Sequence, residues 1–232
     1  MTDKDYLNNL RTPTEENPLR ILTSACLTGT MCGWEGGHYS TAILLNLSKQ
    51  KNVKLIPFCP EDYSYGTPRE ISDIHGGDGF DVLNGNAKVM TESAKDWTDG
   101  MIDASLKMLD IAKKEEVELA ILMDISAACG SQVIYDGNRK SEKPIHQIGM
   151  GVCAAQLHKN GFKVISQRDF ESLEILSSKI FDKHTIDKSK KDHDKHEWYI
   201  RYFKQWKKYN YIKEKNIVFA LVEWAKAYLF VI

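Results

Sequence analysis

A chain of 232 residues with 31 Lys and Arg against 32 Asp and Glu carries a formal charge of -1, which excludes a protein that binds nucleic acid through the charge of its whole surface. Hydrophobic residues at 42% and charged residues at 27% belong to a globular chain long enough to bury its own core, and six prolines with fifteen glycines exclude a fibrous or low-complexity one. Five cysteines, behind a start (MTDKDYLNNLRTPTEENP) that lacks a basic flank and apolar run, fit a reduced, cytoplasmic chain whose thiols serve as core residues, nucleophiles or metal ligands.

Residues 1–19 are polar, carry two prolines and show no hydrophobic period, so they read as a leader draped over the core. From Arg20, short apolar runs alternate with helical patterns. RILTSAC is a strand ending near Cys26, and the glycine-rich TGTMCGWEGGHY is a loop. TAILLNLSKQ has helical spacing, and VKLIPF is a second strand ending at Cys59. This strand, loop, helix, strand unit favours a parallel sheet. PEDYSYGTPREISDIHGGDGFDVLNG follows as a long connection, expected as a loop covering a site.

The longest helix is predicted over 94–115, with Met101, Ala104, Met108, Ile111 and Ala112 along one face. LAILMDIS is a third, buried strand that stops just before Cys129. GMGVCAAQLHKNG is a short helix closed by Gly161, KVIS a fourth strand and FESLEILSSKI a further helix. The expected fold of residues 20–180 is an open, doubly wound α/β sheet, mostly parallel and Rossmann-like.

Residues 181–232 form a helical C-terminal extension of different composition. Between Asp182 and Lys215 stand eleven Lys or Arg against six Asp or Glu, interleaved with seven aromatic residues. Trp198, Tyr202 and Trp206 recur at helical spacing, which suits packing. The same segment suits RNA, with cations on phosphates and rings on bases, but packing is the favoured reading. The last run, NIVFALVEWAKAYLFVI, is interrupted by Glu223 and Lys226 and falls short of the roughly 20 apolar residues of a membrane span, so a docked amphipathic helix is expected.

Cys26, Cys59 and Cys129 each lie at the carboxyl end of a predicted strand, the edge at which open α/β sheets bind ligands. Their separations of 33 and 70 residues match no paired-cysteine zinc motif and no ferredoxin run, yet parallel topology brings all three to one crevice. Three thiolates there would hold a cubane iron-sulfur cluster with one iron open, or zinc with one open position. Each cysteine taken alone is equally well a small buried hydrophobe.

The segments around these cysteines, ILTSACLTG, CPE with TPRE, GGDGFDVLNGNAKV with DWTDG, DISAACGSQVIYDG and GMGVCAAQL, occur in an order and spacing that resembles the TudS-like thiouracil desulfidase family over about residues 20–168. The resemblance implies one α/β domain with a [4Fe-4S] cluster on Cys26, Cys59 and Cys129 and with Glu61 and Ser126 as catalytic residues. The implied reaction removes sulfur from a thiolated uracil, as base or nucleoside, to give uracil and hydrogen sulfide by non-redox hydrolysis. The chain carries Met123, Ala127 and Ala128 where such families usually have lysine, proline and serine, and Gly33 and Trp34 where arginine and tyrosine are usual.

That chemistry suits the residues, since an iron with an open position polarises a soft thiocarbonyl while Glu61 moves a proton and Ser126 relays one or holds the pyrimidine edge. Arg69 of TPRE is a candidate for a substrate anion or carbonyl. Cys32 is open to a role as spare ligand or temporary sulfur acceptor but is read first as a loop cysteine, Cys153 as core packing, and Asp78 with Asp81 as turn formers. His193 and His196 in DHDKHEW read as the solvated start of a helix. Two rival functions remain at this stage: a zinc or cysteine-nucleophile hydrolase using the same crevice, and a non-enzymatic module that binds RNA or protein through the extension.

Overall fold

Strands that are apolar on both faces need helices on both sides, and four such strands organise this chain. In the computed structural model, which describes residues 4–203, the elements run α1 (Lys4–Asn8), β1 (Leu19–Ser24), α2 (Ala42–Leu47), β2 (Val53–Phe58), α3 (Pro60–Tyr65), β3 (Ser72–His75), α4 (Gly79–Leu83), β4 (Lys88–Thr91), α5 (Thr98–Lys114), β5 (Leu119–Leu122), β6 (Val133–Tyr135), β7 (His146–Ile148), α6 (Val152–Lys159), β8 (Val164–Ser166) and α7 (Phe170–Ile180).

The central sheet has the order β2-β1-β5-β8 and every pairing in it is parallel. Alternation along each strand sends Leu19, Ile21, Leu119, Ile121 and Ile165 to one face, where they meet Leu7 of α1, Leu44 and Leu47 of α2 and Leu173 and Leu176 of α7. Leu22, Ala120, Leu122 and Val164 point the other way, onto Met101, Met108 and Ala112 of α5 and Val152, Ala154 and Leu157 of α6. Two helical layers around one parallel sheet make the doubly wound α/β fold expected from the periodicity. The strand order reverses direction between β1 and β5, which places the topological switch point beside the ends of those two strands.

Three expectations change. The leader is not featureless, because α1 buries Leu7 and the following turn buries Leu10. The connection after Cys59 is not a plain loop: it carries α3, β3 and α4, and β3 pairs antiparallel with β4. Pro60 opens α3 while the Cys59 sulfur caps it, and Asp78 with Asp81 forms a capping box on α4, so local capping builds elements too short to show a period. The third strand ends at Leu122 rather than running to Ser126. Ile125 adopts a φ of +58° and Asp124 donates its N–H to Gln167 Oε1 (2.7 Å), so the chain leaves the sheet there.

The described residues up to His193 form one compact unit, and those from Asp194 begin a second. The second unit opens with helical backbone over 197–203, in which the rings of Trp198 and Tyr202 stack with centroids 5.5 Å apart. Trp206, the rest of the basic aromatic run and the final amphipathic segment lie outside the described residues. No described helix is long and apolar enough to cross a membrane.

Candidate active site

At the carboxyl edge of the sheet, the chain turns away from each of three strands at a cysteine. β1 runs into a single 3-10 turn, Ala25–Thr28, closed by Gly29 at a φ of +95°, and Cys26 sits in that turn. Cys59 follows β2 directly, with its Sγ accepting the Asp62 N–H at 3.4 Å. Cys129 ends the turn after β5, where Ser126 Oγ accepts the N–H groups of Ala128 (3.2 Å) and Cys129 (3.1 Å). The sheet thus brings together residues 33 and 70 positions apart, and Cys26, Cys59 and Cys129 line one cavity of about 260 Å³.

Glu61, Ser126 and Arg69 line the same cavity, so the structure gathers all six sequence-predicted site residues. The Arg69 side chain is 3% exposed and is held from several directions. Its Nη2 donates to Glu61 Oε2 (3.1 Å) and the Cys32 carbonyl (3.0 Å), and its Nη1 donates to Gly66 O and Thr67 Oγ1. Arg69 therefore commits most of its donors to the protein. Glu61, at 24% exposure, faces the cavity from the first turn of α3.

Sequence reasoning missed two members of the wall. Cys32 is buried in the cavity lining rather than standing in an outer loop, with its carbonyl accepting from Arg69 and lying 3.7 Å from Cys59 Sγ. Its place six residues after Cys26 was the only available hint. Arg139 reaches the cavity from the turn after β6, where its guanidinium grips buried Asp73 (2.6 and 2.9 Å) and lies 4.7 Å from the Tyr135 ring centroid. A lone arginine in a polar turn carries no local signal of this. Trp34, 38% exposed, lies at the cavity with Lys140 Nζ 5.2 Å from its ring centroid.

The electrostatics follow from burial. Removal from water pushes the Cys129 thiol up, although a hydrogen bond with Ser24 works the other way. Hydrogen bonding with Cys32 and then burial push the Cys59 thiol up. Cys32 itself is pushed up to about 11, chiefly by its hydrogen bond with Cys26. At neutral pH these metal-free thiols keep their protons, so binding a metal centre there must release them.

A wall offering sulfur donors selects soft and borderline centres, iron-sulfur clusters among them. Among the described residues no three His, Cys, Asp or Glu converge as a single-ion site does, and the three strand-end thiols ring a cavity instead. The donor set and the open space fit a multi-atom, sulfur-ligated group.

The turn that carries Cys129 is docked on the start of α6. Gly151 N donates to Gly130 O (2.7 Å), Val152 N to Ala127 O (2.8 Å) and Cys153 N to Ala128 O (2.9 Å), which satisfies first-turn amides that a helix leaves open. Cys153 is buried core on this helix, as its apolar setting suggests. A Cβ on Gly151 would stand 2.6 Å from the Ala128 carbonyl carbon and oxygen, which are backbone and cannot swing aside. Gly151→Ala is therefore expected to destabilise the fold by about 1–3 kcal/mol, read as a lower urea midpoint at unchanged slope. An unchanged midpoint would mean that this contact is not close.

The fold is a doubly wound α/β domain, and its thiol-lined crevice lies at the switch point, where such sheets bind their ligands. Comparison with known proteins gives the family. A model described as 2-thiouracil desulfurase matches residues 21–169, and the chain belongs to that family. It is 38% identical over 154 residues to the uncharacterized protein YbbK of Bacillus subtilis (strain 168), covering 66% of this chain and 99% of that one. It is also similar to the solved structure of TudS, a [4Fe-4S]-dependent thiouracil desulfidase, with a TM-score of 0.57 and 26% identity over 69% of this chain and 98% of TudS.

Proposed function

We propose that the protein is an iron-sulfur-dependent desulfidase that removes sulfur from a thiolated uracil, as base or nucleoside, releasing uracil and hydrogen sulfide without net electron transfer. The observation that carries this reading is the convergence of three strand-end thiols and a Glu61–Arg69 pair on one cavity, in a chain of the 2-thiouracil desulfurase family. Cys26, Cys59 and Cys129 would hold a [4Fe-4S] cluster, which when bound supplies a Lewis-acidic iron with an open position for a soft thiocarbonyl sulfur.

The remaining work falls to the chain's own side chains. Arg69 fixes Glu61 through Oε2, so Oε1 is the atom left to take a proton from the attacking water and pass it on to the departing sulfur or ring nitrogen. Ser126 Oγ already accepts two backbone N–H groups, so its own O–H is the donor left to hold the pyrimidine edge. Arg69 and Arg139 are each paired with a carboxylate, Glu61 and Asp73, so their part at the wall is to fix its shape rather than to add net positive charge.

The test is anaerobic reconstitution with iron and sulfide, followed by incubation with 2-thiouracil, 4-thiouracil and 4-thiouridine. Uracil or uridine and hydrosulfide should form in equal amounts with no added reductant or oxidant. Absence of hydrosulfide from every thiopyrimidine, or turnover by the zinc-loaded protein instead, would overturn the reading.

A further inference from the structure

Behind the Cys129 turn lies a fully buried polar network that no part of the proposed reaction uses. Asp124 is its hub. One carboxylate oxygen, Oδ1, accepts the N–H groups of Ser131 (3.1 Å), Gln132 (3.2 Å) and Val133 (3.2 Å), which cinches the turn holding Ser126 and Cys129 into a closed loop. The other, Oδ2, meets His193 Nδ1 at 2.6 Å, and both side chains are at most 1% exposed. His193 N donates to Asp169 Oδ1 (3.0 Å), and Asp169 in turn accepts both the Ser166 N–H (2.8 Å) and the Gln132 side-chain amide (2.7 Å). His193 thus bridges the two carboxylates that hold the loop, Asp124 through the loop's backbone amides and Asp169 through the Gln132 side chain. It is a member of the core and not the solvated helix start that its charged neighbours suggest.

The loop needs holding. Ile125 has a φ of +58°, a left-handed conformation that a β-branched side chain resists and keeps only where its surroundings over-determine it. Burial of Asp124 works against its charge, yet His193 and the amides of Val133 and Gln132 outweigh that and keep its carboxyl below the usual range.

We propose that His193 is a positioning residue for the site, acting through Asp124 as a latch on the loop that presents Ser126 and Cys129. Partners behind a ligand-bearing loop set the orientation of its ligands. His193 lies beyond the matched span of 21–169, so a segment outside that span completes the support of the site. Without His193, Asp124 is left as a buried charge lacking its partner and the loop opens locally.

The experiment uses the full-length, metal-free protein and follows alkylation of individual thiols by iodoacetamide with mass spectrometry. In His193→Ala, Cys129 should react at least about tenfold faster while Cys26 and Cys59, which follow β1 and β2, keep their wild-type rates. His193→Asn places an amide donor where Nδ1 stood and should restore the slow rate. An unchanged Cys129 rate in the alanine variant, an equal rise at all three cysteines, or failure of asparagine to restore protection would each overturn the latch. The proposal rests on the reading of Cys129 and Ser126 as site residues. Sulfide release by the wild-type enzyme tests that reading and thiol reactivity tests the latch, so either can fail alone.

Discussion

Alanine at Cys26, Cys59 or Cys129 is expected to reduce iron and acid-labile sulfide in the reconstituted protein to under about a tenth of the wild-type content, with sulfide release falling in parallel. Each of these thiols follows a different strand and lines the same cavity, so removing one leaves two donors that, among the described residues, no neighbouring carboxylate or imidazole completes into a single-ion site. Two further variants make the result specific. Cys153 is buried in α6, and Cys153→Ala should leave the iron content unchanged. Cys32 lines the cavity but is taken as wall rather than ligand, so Cys32→Ala should also retain iron. Iron retained in any one of the three ligand variants would break the proposed ligand set, and loss in Cys32→Ala would enlarge it.

Glu61→Gln should keep the cluster and lose at least about a hundredfold in turnover, the range over which a positioned proton-transfer group acts. The substitution is nearly isosteric, and the glutamine carbonyl can still accept from Arg69 Nη2, so the wall keeps its shape while the group that moves the proton is removed. The effect should appear in kcat rather than KM, because the carboxylate is assigned to the chemical step and not to holding the ring. Unchanged sulfide release from 2-thiouracil would remove Glu61 from the mechanism, and a loss of iron in this variant would recast it as support for the site.

Much of the architecture is legible in the chain. VKLIPF and KVIS carry dense apolar runs, and the predicted FESLEILSSKI helix coincides with α7. What escapes are pieces of three to five residues: α1, β3, α4 and the β6–β7 hairpin are too short to show a period, and they form because caps and cross-strand partners satisfy them. The over-long third strand is a related error. Nothing in LAILMDIS announces that Asp124 turns its amide to Gln167 and ends the pairing at Leu122.

By itself the sequence determined the alternation of strands and helices, hence a doubly wound sheet, and it set three cysteines at the ends of strands where such a sheet binds ligands, while Glu61 and Ser126 stood out only through the family resemblance. Those properties are local: hydrophobic period, capping and position relative to a strand end. Only the tertiary structure decided that Arg69 is consumed in fixing Glu61, that Cys32 and Arg139 belong to the wall, and that His193 closes on Asp124 across 69 positions of chain. Contacts between distant segments have no spacing to betray them. They exist because the sheet places those segments side by side, and because a buried charge must find a partner there.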